Sequence, residues 1–234
     1  MMISCKYSAA VKGYILAIIM VSTELNGAGL QFKIDFPRED ENGLVEGRGL
    51  LLLSQDNEKE PRFQISDNSN TGFVFGVDAI GKQPSKGVTI DGNTFGYPIS
   101  SLNDIPAGEY WVQGLIHKYE TFNLKTGHEV KLPMDRGEGQ HWHSAPGNFY
   151  SEPKKITLDP KKRKTVNMTL DQVIAPIVPP KDTDYIKHIK IQSKLLTEFW
   201  GRPMYLGAHV LLPHGYNEHP DAKYPWMIFH VHYP

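Results

Sequence analysis

The sequence predicts a mainly β protein, because apolar and polar residues alternate over much of its length. Residues 30–36 alternate in this way, which is the period of a strand that buries one face. Further strand-like runs follow at residues 49–54, 73–77 and 166–170, with Gly, Pro, Asn and Asp between them. Outside the first 29 residues, nothing before Lys194 carries a sustained helical period. Strands spaced like this, with polar turns between them, predict a β-sandwich.

The segment PAGEYWVQGLIHKY, residues 106–119, predicts a central strand of this sandwich. Tyr110 and Val112 fall on one face and Trp111 on the other, so both faces are expected to be partly covered. A Pro-Ala-Gly sequence before such a strand is typical of immunoglobulin-like sandwiches. We therefore predict an immunoglobulin-like β-sandwich over residues 30–178.

The first 29 residues have the pattern of an export signal. Lys6 and Lys12 form a positive start, residues 14–21 form an apolar core, and small residues follow at 26–29. The apolar run is too short for a stable membrane span. A buried N-terminal helix is the alternative, because no clean A-x-A cleavage site follows the run. The prediction is an exported protein, secreted or periplasmic.

Charge and cysteine content exclude several classes of partner and cofactor. The formal net charge is −1 and no basic stripe is present, so no nucleic-acid partner is expected. The basic run at residues 161–164 is interpreted as a solvated turn between two strands. The single cysteine, Cys5, excludes an internal disulfide and a cysteine-built zinc site. Cys5 also precedes the apolar run, so lipid attachment is not supported.

A proline-rich stretch, IAPIVPP at residues 174–180, marks the end of the sandwich. We place the linker at residues 179–184 and a second segment at residues 185–234. That second segment predicts a strand at 185–193, a helical turn at 194–200 and a strand at 204–212. A loop rich in Pro, Gly and Asn follows, and the apolar run from Trp226 to Val231 predicts a strand buried on both faces.

Several segments together resemble secreted bacterial esterases of the enterochelin-esterase-like α/β-hydrolase family. They are GLVEGRGLLLLS, EPRFQI, VFGVDA, IPAGEYWVQGLIHKYETF, APGNFYS and SKLLTEFWGRPMYLGAHVLLPHGYNEHPDAKYP. The resemblance runs from about Phe36 to the end of the chain. It implies a β-sandwich joined to the first strands of an α/β-hydrolase domain, truncated here at residues 185–234. It further implies a carboxylic-ester hydrolase with a Ser-His-Asp/Glu triad and a small-molecule ester as the substrate of the full-length protein.

Two departures from the family pattern affect the expected activity. No Gly-x-Ser-x-Gly nucleophile elbow occurs in the sequence, so we expect this fragment to lack the nucleophile and to be inactive. Val231 stands where relatives tend to have a glycine near the oxyanion loop. No catalytic residue is carried over from the family. His232 and Tyr233 are only the positions nearest to the expected oxyanion loop.

His141-Trp142-His143 is the candidate ligand-binding cluster. Aromatic faces bind sugar rings, so a secreted β-sandwich that binds carbohydrate or another ligand through Trp142 is the alternative function. A tryptophan here also suits the core of a sandwich, so ligand binding and core packing both remain open interpretations of Trp142. Two histidines at this spacing fall short of the three or four ligands of a zinc site, so no metal and no cofactor are predicted.

Overall fold

The computed structural model describes residues 29–36, 45–81 and 86–229, so the predicted export signal lies outside the described residues except for Gly29. The described chain is mainly β, as predicted. The strands up to residue 173, here called the two-sheet region, are β1 (Leu30–Asp35), β2 (Gly47–Ser54), β3 (Phe73–Asp78), β4 (Val88–Ile90), β5 (Gly96–Tyr97), β6 (Gly108–Lys118), β7 (Glu120–Asn123), β8 (Glu129–Leu132), β9 (Phe149–Tyr150), β10 (Lys154–Leu158), β11 (Lys164–Thr169) and β12 (Gln172–Val173). The C-terminal unit follows as β13 (Ile186–Gln192), α1 (Lys194–Trp200) and β14 (Tyr205–Leu211).

Two sheets form the body of the two-sheet region. The smaller sheet has the order β11-β1-β4, with β1 parallel to β11 and antiparallel to β4. The larger sheet has the order β12-β9-β6-β2-β3-β5, and β10 pairs with β6 beside that path. The basic run at residues 161–164 joins β10 to β11, as the sequence predicted.

One hydrophobic core lies between the two sheets. Leu30, Phe32 and Ile34 of β1 are fully buried, because alternation along the strand points all three to the same face. They belong to one cluster with Leu51 of β2 and Tyr110 of β6 from the larger sheet. The period-2 pattern read from the sequence is therefore the pattern that builds this core.

The larger sheet also buries apolar side chains on its outer face. Leu50, Leu52 and Leu115 form a second, smaller cluster there. Strand β2 is consequently buried on both faces, which explains its uninterrupted apolar sequence GLLLL. The loop that carries Trp142 covers this outer cluster.

The C-terminal unit is a β-hairpin-like pair of strands joined by a helix. Strands β13 and β14 pair antiparallel from Ile186↔Leu211 to Gln192↔Tyr205. Ser193 is the N-cap of helix α1, and its hydroxyl oxygen accepts a hydrogen bond from the Leu196 amide at 3.3 Å. The helix ends at Gly201, which has the left-handed conformation with φ 66°. Both strands and the helical turn were predicted from the sequence.

The C-terminal unit contacts the two-sheet region at the β7–β8 hairpin. The Lys125 amide donates to the Phe199 carbonyl at 2.9 Å, next to the hairpin turn at Gly127. The Trp200 ring meets the Phe122 ring edge-on at 5.3 Å between centroids. Helix α1 is therefore fixed to the hairpin by both a backbone hydrogen bond and an aromatic contact.

The predicted buried strand at residues 226–231 is wrong over the residues that the structure describes. Trp226 to Phe229 form no strand, and their side chains are 79% to 92% exposed. A strand buried on both faces needs hydrogen-bonded neighbours and a covering layer. No described strand pairs with this run. Val231, His232 and Tyr233 lie outside the described residues.

Candidate functional site

His141, Trp142 and His143 lie together on the outer face of the larger sheet. A short 3₁₀ turn, Trp142–Ser144, presents them. Trp142 packs on the cluster of Leu50, Leu52 and Leu115 and so helps to cover that face. The tryptophan thus has a packing role, and ligand binding at this residue stays a prediction.

Arg62 fixes this turn to the sheet. Its guanidinium lies between two rings, with Cζ 4.4 Å from the Phe63 centroid and 4.2 Å from the Tyr150 centroid. Its Nη1 donates to the His143 carbonyl at 3.0 Å, and its Nε donates to Glu60 at 2.8 Å. Arg62 is only 8% exposed, so its charge needs these partners.

Glu60 is held as a carboxylate beside this arginine. Burial acts to raise the pKa of Glu60, but hydrogen bonds from Arg62 and Gln113 and the positive charge of Arg62 hold that pKa below its ordinary value. The Gln113 amide donates to Glu60 at 2.7 Å and to the Ser151 carbonyl at 3.0 Å. The network therefore connects the Arg62 pair to the middle of strand β6.

His143 is surrounded by aromatic rings. Its ring stacks on His141 at 5.4 Å and meets Phe63 at 5.2 Å and Trp142 at 5.6 Å edge-on. Burial, then the neighbouring His141 and Arg62 charges, lower the pKa of His143. Its Nδ1 is buried and has no hydrogen-bond partner among the described residues. This arrangement favours a neutral imidazole.

A second candidate site is the cleft between the β7–β8 hairpin and the C-terminal unit, here called the junction cleft. Its volume is about 940 Å³, within the range of small-molecule sites. It is lined by Glu120, Phe122, Leu132, Pro133, Met134, Asp135, Arg136, Gln140, Lys190, Trp200, Arg202, Pro203, Met204 and Tyr205. Its walls thus come from two parts of the chain that lie far apart in sequence.

Glu120 forms the centre of the charged part of the junction cleft. Its two carboxylate oxygens accept hydrogen bonds from Arg136 and Arg202. Arg202 also lies over the Phe122 ring, with Cζ 5.1 Å from the centroid. Elsewhere in the lining of the cleft, Lys190 Nζ is 4.7 Å from the centroid of the Tyr205 ring. The cleft combines positive charge with ring surfaces.

The sequence identified the first site and missed the second. His141, Trp142 and His143 stand together because they are consecutive, whereas His232 and Tyr233 lie outside the described residues. Arg202 and Glu120 are 82 residues apart, so no local pattern could pair them. The available signal was Gly201-Arg202 directly after the predicted helical turn, which ends at Trp200.

The described residues contain no helix of the length and apolarity that a membrane crossing requires. In the same ranges, no group of three or more His, Cys, Asp or Glu side chains is arranged to hold a metal ion. Comparisons of the chain with protein-family models, curated proteins and solved structures found no match.

Proposed function

We propose that this chain belongs to an exported carboxylic-ester hydrolase that uses serine chemistry. In this proposal residues 30–178 form an immunoglobulin-like β-sandwich, and the C-terminal unit supplies the first strands of an α/β-hydrolase sheet. The sequence contains no Gly-x-Ser-x-Gly, so these residues contribute structure and substrate access, and the acyl-enzyme forms on a serine outside them.

The packing around Tyr110 supports the immunoglobulin-like part of the proposal. Its buried hydroxyl donates to the Pro106 carbonyl at 2.7 Å, four residues upstream. A tyrosine that bonds back to the backbone in this way occurs as the tyrosine corner of immunoglobulin-like sandwiches. Two sheets with one core between them fit the same architecture.

The single observation that carries the hydrolase part is the exposed apolar surface of the C-terminal unit. Ile191 on β13 is 61% exposed and Leu211 on β14 is 78% exposed. The apolar run from Trp226 to Phe229 is exposed as well. An isolated pair of strands is marginal in water, and apolar surfaces of this kind typically serve as interfaces. We interpret both strands as part of a larger hydrolase sheet.

An activity comparison tests the proposal. The protein isolated from its natural source with an antibody against the two-sheet region is assayed on p-nitrophenyl esters of graded acyl length. We expect hydrolysis that a serine-directed fluorophosphonate abolishes. The 234-residue chain expressed alone is the matched control and should not exceed the background rate. An intact natural protein that hydrolyses none of the esters would overturn the proposal.

A second candidate function is carbohydrate binding at His141, Trp142 and His143. It is favoured because His141 is exposed and stacked on His143, so rings face outward from the sheet next to Trp142. The test is a titration with soluble glycans followed by tryptophan fluorescence, with His141→Ala as the variant that leaves the Trp142 packing in place. No response to any glycan class would exclude this function.

A further inference from the structure

We propose that the junction cleft binds a monoanionic ligand in which a carboxylate is attached to a ring. This site goes beyond the proposed function, because it requires no nucleophile and no ester. The ring could be aromatic, as in benzoate, or a sugar, as in glucuronate. The two share a carboxylate attached to a six-membered ring, and the experiment below separates them.

The charges that line the junction cleft favour an anion. Arg136, Arg202 and Lys190 supply three positive charges, against the two carboxylates of Glu120 and Asp135. Asp135 already accepts a hydrogen bond from the Gly137 amide at 2.7 Å. Glu120 is shared by both arginines, so one carboxylate offsets two guanidinium groups. The surplus of one positive charge matches a ligand with a single negative charge.

Arg202 has the donor capacity to recognise a carboxylate. A guanidinium carries five N–H donors in a planar fork that matches two carboxylate oxygens. Among the described residues, the hydrogen bond that Arg202 donates is the one from Nη1 to Glu120. Its side chain is 39% exposed, so water or a ligand can reach it. A ligand carboxylate could therefore join Glu120 at the same guanidinium.

The apolar wall of the junction cleft suits a ring. Trp200 packs edge-on against the buried Phe122 ring, and Tyr205, which also lines the cleft, is half-exposed. Met134 and Met204 complete this wall. Thioether side chains adapt to the outline of a ring, and aromatic side chains contact it through their faces or edges. Ring surfaces next to a guanidinium are the combination that a ring-bearing carboxylate requires.

Isothermal titration calorimetry of the full 234-residue chain tests the proposal. The probes are sodium benzoate and sodium glucuronate, with benzamide and methyl glucoside as neutral counterparts and phenyl phosphate as a dianion. We expect at least one carboxylate to bind with Kd of about 1 mM, the affinity typical of so small a ligand. The carboxylate that binds identifies the ring, and its neutral counterpart should bind at least about tenfold more weakly.

Variants connect the binding to the junction cleft. Arg202→Gln should weaken carboxylate binding about tenfold, because a charge-assisted hydrogen bond is lost. Lys190→Gln removes a cleft charge without touching the Glu120 ion pairs. It therefore tests the role of the cleft in binding even if Arg202→Gln disturbs the fold. The Lys190→Gln variant should also bind the carboxylate more weakly than the wild type. Arg163→Gln, in the exposed turn between β10 and β11, is the matched control and should bind like the wild type.

Four results would overturn the proposal. One is the absence of heat with both carboxylates, and another is equal binding of a carboxylate and its neutral counterpart. The third is carboxylate binding that neither Arg202→Gln nor Lys190→Gln changes. Tighter binding of phenyl phosphate than of either carboxylate would likewise contradict the monoanion assignment. The esterase assay does not depend on these outcomes, so the two proposals fail separately.

Discussion

At the scale of single residues, the Tyr110 hydroxyl connects the start of strand β6 to the loop before it. The ring belongs to the core between the sheets, and the hydroxyl donates to the Pro106 carbonyl at 2.7 Å. A buried tyrosine usually satisfies its hydroxyl in this way, because an unpaired polar group in an apolar core is costly. Tyr110 therefore contributes both core packing and a hydrogen bond to the loop before strand β6.

Replacing Tyr110 with phenylalanine should lower the free energy of unfolding by about 1 kcal/mol. The ring packing remains, whereas the hydrogen bond to the Pro106 carbonyl is lost. Urea denaturation followed by circular dichroism measures the change. Tyr185→Phe is the matched control, because that side chain is about half-exposed and should change stability little. Equal stability of Tyr110→Phe and the wild type would show that the bond is not stabilising.

Stability should also depend on the protonation of His143. Burial and the neighbouring His141 and Arg62 charges lower its pKa in the folded state, and burial lowers the pKa of His117. The unfolded chain, whose histidines have a pKa of about 6.5, binds protons first as the pH falls. Protonation of these two histidines therefore lowers the free energy of unfolding as the pH falls from the unfolded-state pKa to the folded-state pKa.

Denaturant titrations between neutral and mildly acidic pH check this dependence. His143→Gln should flatten the decrease, since one of the two partly buried imidazoles is removed. His219→Gln, in an exposed turn, should leave the decrease as in the wild type. A wild-type stability that rises on acidification across this window would contradict the assigned pKa directions.

At the scale of elements, the contact between helix α1 and the β7–β8 hairpin depends on Gly201. The residue has φ 66°, a conformation that side chains other than glycine rarely adopt. A Cβ added there would overlap the backbone carbonyl oxygen of Asn123 in the hairpin. Glycine is thus required both to end the helix and to let it approach the hairpin.

Gly201→Ala should loosen the C-terminal unit from the hairpin. The left-handed conformation alone costs about 1 kcal/mol, and the overlap with Asn123 adds to that. Gly215→Ala is the matched control, because Gly215 also has a positive φ but its Cβ would meet its nearest neighbour at 3.6 Å. Hydrogen exchange of the β13 and β14 amides measures the effect. Equal exchange in both variants would show that the approach of helix α1 to the hairpin does not require glycine at position 201.

At the scale of the whole molecule, the sequence predicted where strands lie better than it predicted which neighbours they pair and pack with. The alternation at Leu30 to Asp35 located β1, and the apolar run at residues 49–54 located β2, because strand signals are local. The apolar run at Trp226 to Phe229 carried the same local signal and is not a strand, since pairing depends on neighbours.

The candidate sites also combine features that local sequence predicts with features that depend on long-range contacts. His141, Trp142 and His143 could be identified as a cluster from their adjacency alone. Their attachment through Arg62 could not, because Arg62 and His143 are 81 residues apart. The junction cleft depends on a similar long-range contact, between Glu120 and Arg202. Charges and rings far apart in sequence become a site only when the fold brings them together.

The most direct measurement on the central proposal is the intact mass of the natural protein before and after treatment with a fluorophosphonate. We expect a single covalent adduct on the same polypeptide that carries residues 29–229. Peptide mapping should place it on the serine of a Gly-x-Ser-x-Gly sequence. An intact, folded protein that takes up no adduct, in an extract where other serine hydrolases are labelled, would contradict the esterase proposal and leave ligand binding as the function to pursue.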